Sequence, residues 1–499
     1  MTITMDQMAP AMFVGMILVM LIGFPVAFSL AALGFAFGAL AIELGFFPPG
    51  FVTNVPLSIF GNTLSNELLL AVPFFTLMGS VLEKCGLAED MLDSMGQLFG
   101  PARGGLGYSV ILVGFILGAI TGTVAGQVIA MALISMPVMI RYGYNMRYTT
   151  GVLAASGTIT QLVPPSLVLI VLADQLGRSV GDMYKGAWGP SILQILIFLL
   201  YTFVLGRIKP DWVPGVPKEA ITLRGWALWG KCLRGIIPSL ALIITVLGSM
   251  GGLPFMTSAV ATPTEAGAMG AVGSLVLAAL HGRLNWPLLW DAMKATMRLT
   301  AMVVFILIGA RVFSIVFQGV DGAIWIEHML SALPGGQLGF LIFVNIFVFI
   351  LAFFLDFFEI AFIIVPLLAP VAQKLGIDLI WFGVMLCVNM QTSFMHPPFG
   401  FALFYLRGIS DQLYKNRAIE KPVLSKDIYL GAIPWLLMQL VLVAMVIAWP
   451  GAVTIFLDKE KVIDLDKVKI EMEAPQFEDK DPSDVFKDLM KDGKEEEKK

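Results

Sequence analysis

Cysteine, histidine and charge are all scarce in this 499-residue chain. Its three cysteines, Cys85, Cys232 and Cys387, show no paired spacing, and its three histidines, His281, His328 and His396, are scattered. A disulfide framework, a zinc site and a clustered proton relay therefore have no support in the sequence. Charged residues make up 14% of the chain against 58% hydrophobic, and mean hydropathy is +0.85. That much apolar surface cannot be hidden in one soluble core. The ten-residue alternation of a membrane barrel is missing. So are Gly-x-Ser-x-Gly, His-Glu-x-x-His and Walker patterns, which excludes the common hydrolase chemistries and direct ATP drive. Neither an enzymatic activity nor a cofactor is expected, and no nucleic-acid partner.

What is present is a series of apolar runs that recurs to about residue 450. Each is long enough to cross roughly 30 Å of hydrocarbon as a helix rising about 1.5 Å per residue. The expected class is an all-α polytopic membrane protein in contact with lipid. The first apolar block, Met8 to Leu44, has no basic leader or small-residue cleavage site and reads as mature membrane helix. The net charge of −4 comes almost wholly from residues 458–499, which hold ten Lys and fifteen Asp or Glu. This reads as a solvated tail, with a short amphipathic helix near Val485 to Met490.

Within the apolar sequence one pattern occurs twice, shifted by 233 residues. The first copy runs Pro137, Gly143, Pro164-Pro165; the second runs Pro370, Gly376, Pro397-Pro398. Adjacent prolines lack amide hydrogens and clash with the preceding turn, so a hydrophobic helix must break at each pair. Broken helices at corresponding places in two halves of a membrane protein point to a transporter's binding site. The reading is an inverted repeat with two re-entrant helical hairpins and two broken helices.

Charge tests this arrangement independently. If 141–147 lies inside, the repeat puts 207–234, 281–298 and 407–426 inside as well, and 173–186, 318–337 and 374–379 outside. The inside loops then carry 16 Lys and Arg and the outside loops 3, as the positive-inside rule requires. The register needs two crossings between 236 and 281 that turn at Gly251-Gly252-Leu253-Pro254. About twelve crossings plus two hairpins are expected. The divisions are 1–100 as N-terminal scaffold, 101–186 as first hairpin and broken helix, 187–337 as scaffold helices and connecting arm, 338–406 as second hairpin and broken helix, 407–457 as C-terminal scaffold helix, and 458–499 as tail.

Helix breaks free backbone amides and carbonyls, tolerable in lipid only around a cavity. Half-helix starts favour a carboxylate and free carbonyls a hard cation such as Na⁺. Candidate substrate contacts are Thr121, Gly122, Thr123, Ser166, Thr392, Ser393 and Arg311. Candidate Na⁺ ligands, largely through backbone, are Thr123, Ser156, Gly157, Thr160, Gln161, Asp356, Asn389, Gln391 and Thr392. The 233-residue shift superposes Thr123 on Asp356 and Thr158 on Gln391. Each Ser or Thr could instead bond its own helix carbonyls, and each Gly could serve close packing. Asp356 and Glu359 are sharper signals, because ionisable groups inside apolar runs are costly. Arg311 could clamp a carboxylate through its planar fork, or serve a structural ion pair or snorkel outward. His396 beside Pro397 is either packed or a proton carrier.

Several of these residues carry a family likeness. Gly122 through Pro137, Gly143-Tyr144, Ala155-Ser156-Gly157-Thr158 and Val163-Pro164-Pro165-Ser166 resemble the first signature of the large membrane subunit of TRAP (tripartite ATP-independent periplasmic) transporters. Ala261-Thr262-Pro263-Thr264-Glu265-Ala266 resembles the family's middle signature. Leu355-Asp356, Pro366, Pro370, Gly376-Ile377-Asp378, Phe382-Gly383 and Pro397-Pro398-Phe399-Gly400 resemble its second half, and the likeness covers about 10 to 450. Many members carry Ala-Asp where Gly126-Gln127 stands, and Gly-Pro where Thr160-Gln161 stands. The resemblance implies a bacterial inner-membrane protein that takes up an organic acid with Na⁺ by an elevator movement. It implies delivery by a periplasmic substrate-binding protein and partnership with a small four-helix membrane subunit. The substrate expected is a small carboxylate, either a C4-dicarboxylate or a 2-oxo acid. The alternative is a Na⁺- or H⁺-coupled carboxylate carrier that works without a binding protein.

Overall fold

The computed structural model describes residues 4–220, 225–254, 256 and 258–458. The described residues form helices and turns, without a strand. The described residues up to Leu457 make one compact unit; the tail helix expected near Val485 to Met490 lies outside the described residues.

One group of helices packs by small residues. Val26–Glu43 runs alongside Trp286–Gly319. A Cβ on Gly34 would lie 2.9 Å from the Val312 backbone, and one on Gly309 2.2 Å from the Ala27 carbonyl, so the two backbones nearly touch. That is how helices associate where lipid is as apolar as the side chains. Leu68–Lys84 packs in the same way on Pro263–Leu280, with Phe75 against Gly267 and Met78 against Gly270. Trp226–Ser249 precedes that helix across the turn at 250–262, at the position the charge argument required.

The second group is the repeat. In hairpin 1, Gly105–Thr121 turns at Gly122, whose left-handed φ of 63° suits glycine, and returns as Val124–Arg141. Gln127 donates to the Gly114 carbonyl at 2.6 Å, which fixes the arms as antiparallel. Broken helix 1 follows as Met146–Thr158 and Leu167–Gln175. In hairpin 2, Gly336–Leu351 returns through Phe357–Lys374, and Gln337 bonds the Leu375 carbonyl across the mouth. Broken helix 2 is Leu379–Ser393 and Phe401–Lys415. The Pro164-Pro165 and Pro397-Pro398 bonds, both cis, lie in the two breaks.

The repeat is inverted, and Val180–Ile208 serves as the ruler. Near its start Gly186 meets Ile380 and Val384, next to the mouth of hairpin 2. At its middle Gln194 bonds Gln391, and further on Thr202 meets Gly104 and Tyr148, at the mouth of hairpin 1. The two mouths therefore lie at opposite ends. Ion pairs agree with the sides assigned from charge: Arg147 joins Asp427 at 3.1 Å among inner loops, and Lys374 joins Glu327 among outer ones.

Nine helices among the described residues, or up to eleven with the bent pairs, are long and apolar enough to span, a count that leaves out the shorter pieces of the two broken helices. Two of the nine, Val124–Arg141 and Phe357–Lys374, are hairpin arms, which composition alone does not distinguish from crossings. Leu87–Phe99, within the span expected as N-terminal scaffold, contacts both groups of helices. It bonds hairpin 1 through Ser109 and the Met95 carbonyl, and Trp226–Ser249 through the Asp93–Lys231 ion pair.

The helices Val180–Ile208 and Ser425–Ala448 fall largely within the divisions 187–337 and 407–457, expected as scaffold. They pack directly on the broken helices: Gly151 lies against Gly431, Gln439 bonds Thr158 at 3.0 Å, and Trp381 bonds the Val446 carbonyl at 2.9 Å.

Candidate functional site

The repeat brings its own equivalent residues together. Gln391 donates to the Thr158 carbonyl at 2.8 Å, and these positions differ by 233. A residue can touch its own counterpart only near the pseudo-two-fold axis. The amides of Gln391 and Gln194 also pair with each other, at 3.0 and 3.3 Å, in a fully buried setting. Each such bond contributes about 1 kcal/mol, and a buried amide left alone costs about 1–3 kcal/mol.

Each hairpin tip leans on the break of its own repeat. Thr160 donates to the Gly118 carbonyl at 2.9 Å, and Gln127 donates to the Ser156 carbonyl at 2.7 Å. Gly114 and Gly118 make the approach possible, since a Cβ on either would lie 2.8 or 3.2 Å from Ser156 or Thr160. In the second repeat Asn389 performs the stitch, donating to the Asn345 carbonyl at 2.8 Å. Phe353 at the tip stacks on His396 with ring centres 3.6 Å apart, inside a cluster with Phe349, Phe354 and Phe399.

Break 1 holds unused polar groups. The Ser156 hydroxyl and both amide atoms of the Gln161 side chain are buried without a hydrogen-bond partner among the described residues. The Gln161 carbonyl accepts from the Ser166 hydroxyl and from the Cys387 thiol. Gly157 lies against Val128, where it permits close packing. Buried polar groups left unsatisfied in a native fold call for an explanation, and a ligand is one.

The other predicted residues are more engaged. Thr123 and Asp356 occupy identical places, each the N-cap of a hairpin's second arm. Asp356 accepts from the Phe357 amide at 2.6 Å, while Glu359 accepts from the Asp356 amide at 3.0 Å, a reciprocal capping box. Thr392 and Ser393 turn their hydroxyls onto the Asn389 and Met390 carbonyls of their own helix. Arg311 does not join the tips. It lines a polar cavity of about 330 Å³ with Asp174, Asn62, Asn66 and Gln318, walled by Phe362 and Ile363 of hairpin 2.

Sequence reasoning passed over three groups. Gln194 and Gln439, amides inside apolar spans, were a legible sign that their helices face a polar partner. Asp174, which accepts from Asn66 at 2.8 Å, is the carboxylate that faces Arg311 across the cavity. Glu83, a carboxylate in an apolar helix, lies against Gly126 near the tip of hairpin 1. No cluster of three or more His, Cys, Asp or Glu occurs among the described residues, so an ion held here would rest on carbonyl, hydroxyl and amide oxygens.

Comparison with known proteins places these features in a family. The family model described as "Tripartite ATP-independent periplasmic transporter, DctM component" matches residues 13–452. The C4-dicarboxylate TRAP transporter large permease protein DctM of Pseudomonas aeruginosa is 30% identical over 421 residues, covering 83% of this chain and 91% of the relative. The 2,3-diketo-L-gulonate TRAP transporter large permease protein YiaN of Escherichia coli is 25% identical over 391 residues, covering 78% of this chain and 87% of the relative. Among solved structures, the YdaH transporter of Alcanivorax borkumensis shares the fold at a TM-score of 0.57 and 16% identity, covering 80% of this chain and 89% of that one.

Proposed function

We propose that this chain, which belongs to the DctM component family of the tripartite ATP-independent periplasmic (TRAP) transporters, carries a small organic acid inward on a Na⁺ gradient by an elevator movement. It is a transporter permease of the bacterial inner membrane, not an enzyme. The observation that carries the reading is the meeting of two inverted hairpin-and-break units at Gln391 and Thr158. The moving unit consists of both hairpins, both broken helices, and the helices Val180–Ile208 and Ser425–Ala448 bonded to them. The fixed scaffold consists of Met5–Ile22, Val26–Glu43, Leu68–Lys84, Trp226–Ser249, Pro263–Leu280 and Trp286–Gly319.

The Na⁺ reading is supported by the donor set of break 1. The Ser156 hydroxyl and the Gln161 side-chain oxygen are buried without a hydrogen-bond partner among the described residues and carry no fixed negative charge, which suits a monovalent cation. The substrate carboxylate is drawn to the starts of Val124–Arg141, Leu167–Gln175 and Phe401–Lys415, where the helix dipole presents its positive end. Arg311 in the outer cavity is a second anion contact on the entry side. The names of the two relatives, a C4-dicarboxylate and a 2,3-diketo-L-gulonate permease, support a C4-dicarboxylate or a 2-oxo acid. The partners are a small four-helix membrane subunit and a periplasmic binding protein that delivers the acid.

The test is uptake into proteoliposomes that contain both membrane subunits and receive the loaded binding protein. Uptake collapses when the Na⁺ gradient is dissipated and is indifferent to ATP. Undiminished uptake without Na⁺ overturns the coupling.

A further inference from the structure

Glu83 has no hydrogen bond or ion pair among the described residues, although it lies half-buried in the apolar helix Leu68–Lys84. Such a carboxylate in a membrane helix is costly unless something uses it. Its neighbour across the interface is Gly126, the third residue of the arm Val124–Arg141. A Cβ on Gly126 would come within 2.3 Å of Oε2 and 3.0 Å of Oε1 of Glu83, so the carboxylate rests on the helix backbone in a space that only glycine leaves. That arm begins at Thr123 without a side-chain cap. Its first amides are therefore unsatisfied and carry positive partial charge.

The contact joins a helix of the scaffold to a helix of the moving unit. Leu68–Lys84 is held by Pro263–Leu280 and Trp286–Gly319, and its inner end is pinned where Arg283 donates to the Cys85 carbonyl at 2.8 Å. Gly126 is carried by hairpin 1, which is stitched to broken helix 1 through Gln127. We propose that Glu83 is a positioning residue, a latch that holds the transport unit in the position seen here by placing its carboxylate on the uncapped start of the hairpin-1 arm. The proposal rests on the sliding movement described above. When hairpin 1 moves along the scaffold, Glu83 must leave the positive end of this helix, so the charge sets the balance between the two positions.

Nitroxide labels on Arg141→Cys, at the mouth of hairpin 1, and Leu284→Cys, in the scaffold loop before Trp286, report that balance by electron–electron distance measurement in the reconstituted complex. The native cysteines Cys85, Cys232 and Cys387 are buried and leave the introduced ones as labelling sites. Two distances are expected in the otherwise wild-type protein. Glu83→Gln, which removes the charge at constant shape, and Gly126→Ala, which expels the carboxylate and keeps the charge, should each shift their ratio in the same direction by roughly fivefold. Glu83→Asp should stay closer to wild type. Two populations whose ratio ignores both Glu83→Gln and Gly126→Ala overturn the latch alone. A single distance that no Na⁺ or substrate condition alters overturns the sliding movement, and the latch with it.

Discussion

The Asp356 carboxylate caps the second arm of hairpin 2 at the tip of that hairpin, and the proposed Na⁺ coupling gives it a second role. Substitution can separate them. Asparagine caps a helix about as well as aspartate, whereas alanine forfeits about 1 kcal/mol. Asp356→Asn should therefore keep its thermal stability while its half-saturating Na⁺ concentration for uptake rises. Asp356→Ala should lose about 1 kcal/mol of stability in addition. Unchanged Na⁺ dependence in the asparagine variant makes Asp356 a cap and nothing more. Thr392 and Ser393 illustrate what a sequence hides at this scale: both stand beside the break, yet their hydroxyls bond their own helix. Position is written in the spacing, whereas rotamer is decided by packing. Gln161 lies at the other extreme, since its amide has no hydrogen-bond partner among the described residues, and packing rather than spacing decides that.

At the scale of elements, the breaks were legible because proline and glycine act locally. Pro164-Pro165 and Pro397-Pro398 end their helices whatever surrounds them. A crossing and a returning arm were not separable by composition, because Val124–Arg141 has the length and hydropathy of a span and is a returning arm only by virtue of Gly122. The role of Val180–Ile208 was hidden by Leu196, Leu200 and Phe203, whose exposure suggests a helix facing lipid while Gln194 on its other face meets the repeat axis. The glycines of Gly105–Thr121 give this packing a test. Gly114→Ala places a Cβ 2.8 Å from Ser156 and should cost about 1–3 kcal/mol while loosening hairpin 1 from its break. Gly230→Ala, in a helix with no atom within 4 Å of the added methyl, should be neutral or stabilise by up to about 1 kcal/mol. Thermal unfolding of the two variants in one detergent checks the contrast; equal behaviour would mean that the close approach of Gly114 to broken helix 1 carries no weight.

At the scale of the molecule, the two helix groups meet along a boundary with few polar ties, as a sliding surface needs. On the inner side the Glu83 carboxylate rests on Gly126; towards the outer side Gly181 lies against the Met250 carbonyl, and Trp188 bonds the Gly252 carbonyl at 3.1 Å. Within the repeat unit, by contrast, buried amides join hairpin to break and repeat to repeat. That difference in bonding predicts where motion occurs. If the repeat unit travels as one body, a covalent tie across the boundary must stop it, whereas a tie within the unit must not. A disulfide between Tyr184→Cys and Gly252→Cys crosses the boundary where a Cβ on Gly252 lies 3.2 Å from the Tyr184 Cβ, close to the span of a disulfide. Oxidation should abolish uptake, and a reductant should restore it. Transport that persists in a fully crosslinked sample would exclude sliding, and the free polar groups of Ser156 and Gln161 would then serve a stationary site opened by local movements of the hairpin tips.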